Sequence, residues 1–256
     1  MWSWIWHTFF FDPVYNSLVF FIDIVPGGDV GLAIIGTVIL VKVVLLPLSL
    51  KAVRTQYAMR QIEPELKEIK EKYKDQREEL AKHMMGLYRK AGVNPFASIL
   101  LLFLQIPLVI ALYLAVSNGG GIQLPAINTE LLYSFIPAPA APDMQFLGLI
   151  DMAGRSLLLA ALAGGAQFIH AQLAMPALAK KEAGAKPNFK DDFARSMQVQ
   201  MKYVMPVLIF IFAYTLSAAI ALYFAVSNVV AIAQEYVVRR QRTQLERQES
   251  LNMTQA

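Results

Sequence analysis

Residues 36–52 read GTVILVKVVLLPLSLKA. The apolar run reaches back to Val30, so Val30–Leu50 forms a 21-residue segment whose one charge, Lys42, stands near its middle. At 1.5 Å per residue a helix of this length matches a hydrocarbon core of about 30 Å. The same character recurs along the chain. No charged residue occurs from Ala91 to Thr129, from Ser156 to Ala179, or from Tyr203 to Gln234. Only 16% of the residues are charged, where a soluble domain carries about 25%. This segmentation predicts transmembrane helices over 30–50, 94–117, 146–173, 199–216 and 217–238. The last two divide one stretch, Ser196–Val238, which as a single helix would be about 65 Å long. The division is expected near Ser217.

Residues 51–93 are different material. They hold 11 of the 23 basic and seven of the 19 acidic residues. Ile62, Leu66, Ile69 and Tyr73 form one helical stripe, and Leu80, Met84, Leu87, Tyr88 and Ala91 form another. Lys74-Asp75-Gln76 lies between them. Two amphipathic helices in succession predict an antiparallel helical hairpin outside the membrane. Pro64 is tolerable near the first helix's start, where its missing N–H costs little.

At the amino terminus, Trp2, Trp4, Trp6 and Phe9–Phe11 precede Asp12-Pro13. Asp12 is expected to cap a short helix reaching about Phe21, ended by Pro26-Gly27-Gly28. Its aromatic approach and helical spacing suit a helix lying in the membrane interface over residues 1–29. No Lys or Arg precedes Lys42, so the basic start of a cleavable signal is missing and the first span is read as retained. Asp151 and Arg155, at the outer end of the third span, are spaced for an i,i+4 ion pair.

Charge fixes the orientation. Besides the 11 cations of the hairpin, the 174–198 loop with Lys202 just beyond it holds six, and the 239–256 tail holds four. Residues 1–29 and the 118–145 loop hold none. Five spans place every basic segment in the cytoplasm, with the amino terminus outside and the carboxyl terminus inside. Four spans would strand the arginine-rich tail outside. The expected fold is therefore all-α: a polytopic protein of the cell membrane with five transmembrane helices, an N-terminal interfacial helix and a cytoplasmic antiparallel helical hairpin.

Little in the chain suggests covalent chemistry. There is no cysteine, hence no disulfide, thiolate ligand or cysteine nucleophile. Motifs for a phosphate loop, a zinc protease or a serine nucleophile are missing. His7, His83 and His170 are scattered, which argues against a metal site. The reading is a protein that is not an enzyme and takes no cofactor. Lys42 stands apart, because a lysine at a helix centre costs about 2.5–3.5 kcal/mol on insertion scales. It either faces protein or water, or snorkels toward Leu50, about 12 Å further along the axis. Gln105, Gln167, Gln172, Ser217, Tyr223 and Asn228 offer polar groups to line a wet cavity, although each alone is more often an interhelix hydrogen-bonding residue. Residues 110–118 (IALYLAVSN) and 220–228 (IALYFAVSN) match at eight of nine positions in spans of opposite direction. Inverted repeats are a mark of transporters, so a small-solute transporter or channel is the alternative.

In order and spacing the motifs resemble the YidC/Oxa-type membrane protein insertases, in the short form without a large extracytoplasmic domain. The resemblance runs over about residues 10–240. It rests on Asp12-Pro13, on residues 36–52, on Ile62-Glu63-Pro64-Glu65-Leu66, on LYRKAGVNPF (87–96) and on FLQIPLVIALY (103–113). MPVLIFIF (205–212) and SAAIALYFAVSNVVAIAQEYVV (217–238) complete it. The resemblance implies a hydrophilic groove open to cytoplasm and lipid and closed outside, working without nucleotide hydrolysis. It places Lys42 where most members carry arginine, a fork-shaped donor in place of a point charge, and Phe224 where many carry Trp or Tyr. It implies nascent membrane proteins and the lipid bilayer as partners, with the ribosome, the signal recognition particle receptor and the Sec translocon beside them, and no sequence recognition of nucleic acid. Met59, Met84 and Met85 would give the hairpin pliable apolar contacts for substrate.

Overall fold

In a computed structural model of the chain, residues 2–92, 94, 96–117, 121–139, 141–175 and 196–255 are described. The chain divides into two compact units, residues 1–43 with 107–235, and residues 44–106 with 236–256.

The first unit opens with α1 (Trp2–Trp6), a π-helical turn (His7–Phe11) and α2 (Asp12–Ile24). The expected helix start at Asp12 moves to Trp2, because backbone hydrogen bonds continue through the aromatic cluster. Asp12 sits within the run, and its carboxylate accepts from Nδ1 of His7 at 2.8 Å. The helix ends at Ile24, before Pro26–Gly28. Gly27 takes a positive φ of 71° there, a conformation with no steric cost for glycine.

Val14, Tyr15, Leu18, Val19 and Ile22 of α2 are buried in the core of the unit. Asn16, also buried, holds the 128–133 segment. Its Nδ2 donates to the carbonyls of Asp12 (2.8 Å) and Leu131 (2.9 Å), and its Oδ1 accepts from the Tyr133 N–H (2.7 Å). The Tyr15 hydroxyl accepts from the Asn128 N–H at 2.8 Å. Burial raises the Tyr15 phenol pKa above its usual value, against a smaller lowering by this hydrogen bond. Replacing Asn16 by leucine keeps the branched outline, with slightly larger methyl groups, but orphans a carbonyl and an N–H, each costing about 1–3 kcal/mol when buried. A loss of about 2–4 kcal/mol is expected in detergent-solubilised unfolding, and an unchanged midpoint would show that water replaces the amide.

Helix α3 (Val30–Val44) follows. Asp29 accepts from the N–H groups of Leu32 (3.0 Å) and Leu147 (2.8 Å), capping α3 and tying it to a two-stranded ribbon of β1 (Gln145–Phe146) and β2 (Ile150–Asp151). The ribbon and the bend after it replace about the first three turns of the helix expected from Phe146, which begins instead at Leu157. Gly148, at a φ of 69°, turns the chain. The Asp151 carboxylate accepts from the Ala153 N–H at 3.0 Å, where a helical pairing with Arg155 had been expected. Helix α8 starts at Leu157 and ends at Ala174, and its N-cap Ser156 accepts from the Leu159 N–H. A π turn (Gln200–Val204) leads into α9 (Met205–Thr215), and α10 (Ala218–Gln255) begins after a break at Leu216-Ser217. The first N–H groups of α10 donate to the carbonyls of Gly154 (2.8 Å) and Met152 (3.1 Å). Helices α8 and α9 pack together, with Gly164 facing Phe210 and the Pro206 carbonyl.

In the second unit α4 (Leu46–Gln61) carries helical structure into the charged region, after an interruption at Leu45. Helices α5 (Glu63–Lys72) and α6 (Arg77–Lys90) are in contact, and the Tyr73 and His83 rings stack at 4.3 Å. Both helices begin with glutamates and end with cations, which suits the helix dipole. Helix α7 (Phe96–Ser117) is apolar, and belongs to this unit up to Ile106 and to the first unit from Pro107 on.

Among the described residues, three stretches are long and apolar enough to cross a membrane: Leu157–Ala174, Ser196–Thr215 and Ala218–Gln241. Val30–Val44 with Leu46–Met59 adds a fourth if the pair is one broken span, and Phe103–Ser117 is a shorter apolar helix. Most of the expected 174–198 loop lies outside the described residues.

Candidate functional site

The helices present apolar side chains outward and bury polar ones. Ile39, Val43, Ile110, Leu158, Leu162, Ile169, Val207, Ile211 and Val229 are exposed. Thr37, Ser227, Asn228, Gln234 and Glu235 are buried. In water this arrangement would be unstable, whereas in lipid the polar groups belong inside and the apolar ones outside.

Lys42 is half-buried, near the end of α3. It interacts electrostatically with His170 of α8, and so does Glu235 of α10. A cation of α3 and a carboxylate of α10 thus each lie within electrostatic range of one imidazole of α8. Glu235 is only 1% exposed, among the most completely buried large side chains. Lys202 is buried as well, in the π turn that packs on α8. The Tyr203 and Phe168 rings, 6.1 Å apart, set that turn at the level of His170.

The expected groove residues fall into three groups. Gln167 and Gln172 are half-buried on α8, and Gln167 stands one turn before His170. At 100° per residue Gln172 points about 140° away from Gln167, so the two glutamines line different faces. On α10, Phe224, Asn228 and Glu235 are spaced i, i+4 and i+11 and share a face. Asn228 is buried and Phe224 half-buried. Tyr223 is buried in the core, edge-on to Phe224 at 5.4 Å between ring centroids. Ser217 serves a local purpose: its Oγ accepts from the Ile220 N–H at 3.4 Å, at the start of α10. Gln105 belongs to the second unit and is half-buried on α7.

His170 and Glu235 escaped the sequence reading. The available signal was modest: Glu235 is the sole carboxylate between Asp192 and Glu246.

In the second unit Met59 and Met84 are half-buried and Met85 is exposed. A cleft of about 440 Å³ is lined by Lys51, Arg54 and Arg89 with Thr55, Tyr88 and Asn94. Arg54 donates to the Gln241 side chain (3.0 Å), and Arg239 donates to the Tyr57 hydroxyl (2.6 Å).

A helical bundle with lipid-compatible flanks and a charged interior defines the class: an integral membrane protein of several spans. The model of the family described as 60Kd inner membrane protein matches residues 21–246. Membrane protein insertase YidC 2 of Bacillus anthracis is 32% identical over 239 residues, covering 92% of this chain and 81% of the relative. Membrane protein insertase YidC of Clostridium tetani is 29% identical over 227 residues (89% and 87%). Membrane protein insertase MisCA of Bacillus subtilis is 28% identical over 238 residues (91% and 79%). The chain belongs to the 60Kd inner membrane protein family, the YidC/Oxa type.

Proposed function

We propose that this protein integrates newly made membrane proteins into the bilayer, through a hydrated groove that centres on Lys42 and opens to the cytoplasm and to lipid. The observation that carries the reading is the burial of ionisable groups (Lys42 in part, Lys202 and Glu235 fully) inside an apolar-sided bundle, together with relatives named as insertases. The full arrangement is five spans, with the amino terminus outside and the carboxyl terminus inside. Four of them correspond to the apolar stretches above, and α7 supplies the other.

The difficulty for a substrate lies in its polar terminal segment. Each unsatisfied backbone group costs several kcal/mol in hydrocarbon. A wet notch reaching part-way shortens the dry distance. Lys42 attracts acidic residues of the moving segment. The substrate helix then slides sideways into lipid, driven by apolar burial at about 25 cal/mol per Å². No nucleotide enters this scheme. The α5–α6 pair, as a cytoplasmic hairpin, receives substrate at its methionines and docks the ribosome, the signal recognition particle receptor or the Sec translocon. The cations around the 440 Å³ cleft face anionic headgroups of the inner leaflet.

The test uses purified protein in vesicles with a single-span substrate and no ATP. Protease-protected substrate is the expected result. Vesicles that conduct a small solute yet insert nothing would establish the transporter reading instead.

A further inference from the structure

Charge is sorted along residues 51–94. All seven acidic residues fall between Glu63 and Glu79, on α5, the turn after it and the start of α6. The flanks, 51–62 and 80–94, carry Lys51, Arg54, Arg60, Lys82, Arg89 and Lys90 and no acid. A balanced, solvated face has no reason for this sorting, whereas an anionic neighbour at the flanks supplies one. Lys51, Arg54 and Arg89 converge on the 440 Å³ cleft between one face of α4 and the end of α6. No Asp or Glu lines the cleft. Among the described residues none of these three cations is in an ion pair, while Lys67 answers Glu63 and Lys82 answers Glu79. Thr55 and Tyr88 add hydroxyls to the wall. The cleft stands where the unit turns from apolar to cationic. On α4 the change falls between Leu50 and Lys51, and on α10 between Val238 and Arg239. The Arg54–Gln241 and Arg239–Tyr57 hydrogen bonds hold the two changes side by side. Leu46, which is exposed, and Leu50 precede Arg54 by two turns and one turn, so they form an apolar row leading to it.

We propose that this cleft is a binding site for the phosphate of an anionic phospholipid, whose acyl chains run along the leucine row of α4. The guanidinium forks of Arg54 and Arg89 take phosphate oxygens in paired hydrogen bonds, and Lys51 adds a point charge. Tyr88 and Thr55 offer hydroxyl donors. Arg54 gives one N–H to Gln241, and a guanidinium has five, so its fork is not exhausted. A volume of about 440 Å³ lies within the roughly 300–1,000 Å³ of small-ligand sites. A zwitterionic headgroup offers the same phosphate but carries a cation of its own into a cleft that already holds three. The site therefore selects headgroups of net negative charge. The bound lipid bridges α4 and the end of α6 through its phosphate. This deepens the placement of the cleft against the inner leaflet given above, and rests on it.

The experiment titrates the full chain in detergent with phosphatidylglycerol, with phosphatidylcholine and with inorganic phosphate, and reads bound lipid by native mass spectrometry. Phosphatidylglycerol is expected to bind about tenfold or more tightly than phosphatidylcholine. Arg54→Gln and Arg89→Gln together should weaken it by about tenfold or more, and Tyr88→Phe by about threefold. Lys90→Gln removes the same charge from the position next to Arg89, outside the cleft, and should stay within about twofold of wild type. Arg89→Lys keeps the charge and gives up the fork. It should cost about threefold, and it carries the test if the double variant does not accumulate. Equal losses for Lys90→Gln and Arg89→Gln would reduce the site to diffuse surface attraction and overturn the proposal, as would equal retention of the two lipids. Displacement of the lipid by an equal concentration of inorganic phosphate, or by a short RNA duplex, would assign the cleft to a soluble phosphate or to nucleic acid and overturn the lipid source. No substrate takes part in this assay, so its failure is distinct from a failure of wild-type vesicles to insert a single-span protein.

Discussion

Lys42→Glu is expected to reduce insertion of acidic-tailed substrates by about tenfold or more while leaving neutral-tailed ones within about twofold. A unit charge 8 Å away contributes about 2 kcal/mol at an effective dielectric of 20, and reversal of its sign doubles the difference. Mobile ions and water in a half-open groove reduce this. A remainder of about 1.4 kcal/mol is still tenfold. The measurement is protease protection of paired substrates that differ only in tail charge. Lys42→Arg should stay within about twofold of wild type, since it keeps the cation and adds donors. Equal insertion of acidic tails by wild type and Lys42→Glu would remove charge from the mechanism.

The largest effect on the fold itself is expected at Gly164. A Cβ built there meets the Phe210 side chain and the Pro206 carbonyl. Gly164→Leu must therefore push α8 and α9 apart, and overpacking of this kind costs about 1–3 kcal/mol or more. In lipid the penalty falls on the close packing that holds helices together, because no hydrophobic force operates between them. Gly165 is the matched control. It is exposed, and a Cβ there has nothing within 4 Å. Thermal unfolding in detergent should show a clear loss for Gly164→Leu and little change for Gly165→Leu. Equal losses would mean that the cost does not arise at the α8–α9 contact, since removing a helical glycine by itself favours the helix.

The apolar helices were legible because lipid enforces hydropathy over whole spans, and the charge runs on either side mark their ends. Helix starts were less legible. The ribbon at Gln145–Asp151 depends on Asp29, more than a hundred residues away, accepting from the Leu147 N–H, and no local pattern announces that contact. Asp12 looked like a cap because it precedes proline, yet the aromatic run before it continues the helix. Lys42 could be singled out because a charge in a long apolar run is conspicuous. His170 and Glu235 could not, because their meaning lies in which way three separate helices turn. Spacing along one chain does not report facing across helices, which also explains why Gln167 and Gln172 looked equivalent and are not. Ser217 was placed among the groove residues on polarity alone, and its hydroxyl caps a helix.

The pair of amides at Ala218 and Ala219 that donate to Gly154 and Met152 acts as an axle. Helix α8 starts three residues after Gly154 and α10 at Ala218, so both set out from that one point. Backbone amides do not titrate, so the axle holds in any solution that keeps the chain folded. Over about 25 Å of helix, a swing of roughly 10° moves the free end by about 4 Å. A small rotation at the fixed end is thereby magnified at the far end, and the leverage comes from helix length alone.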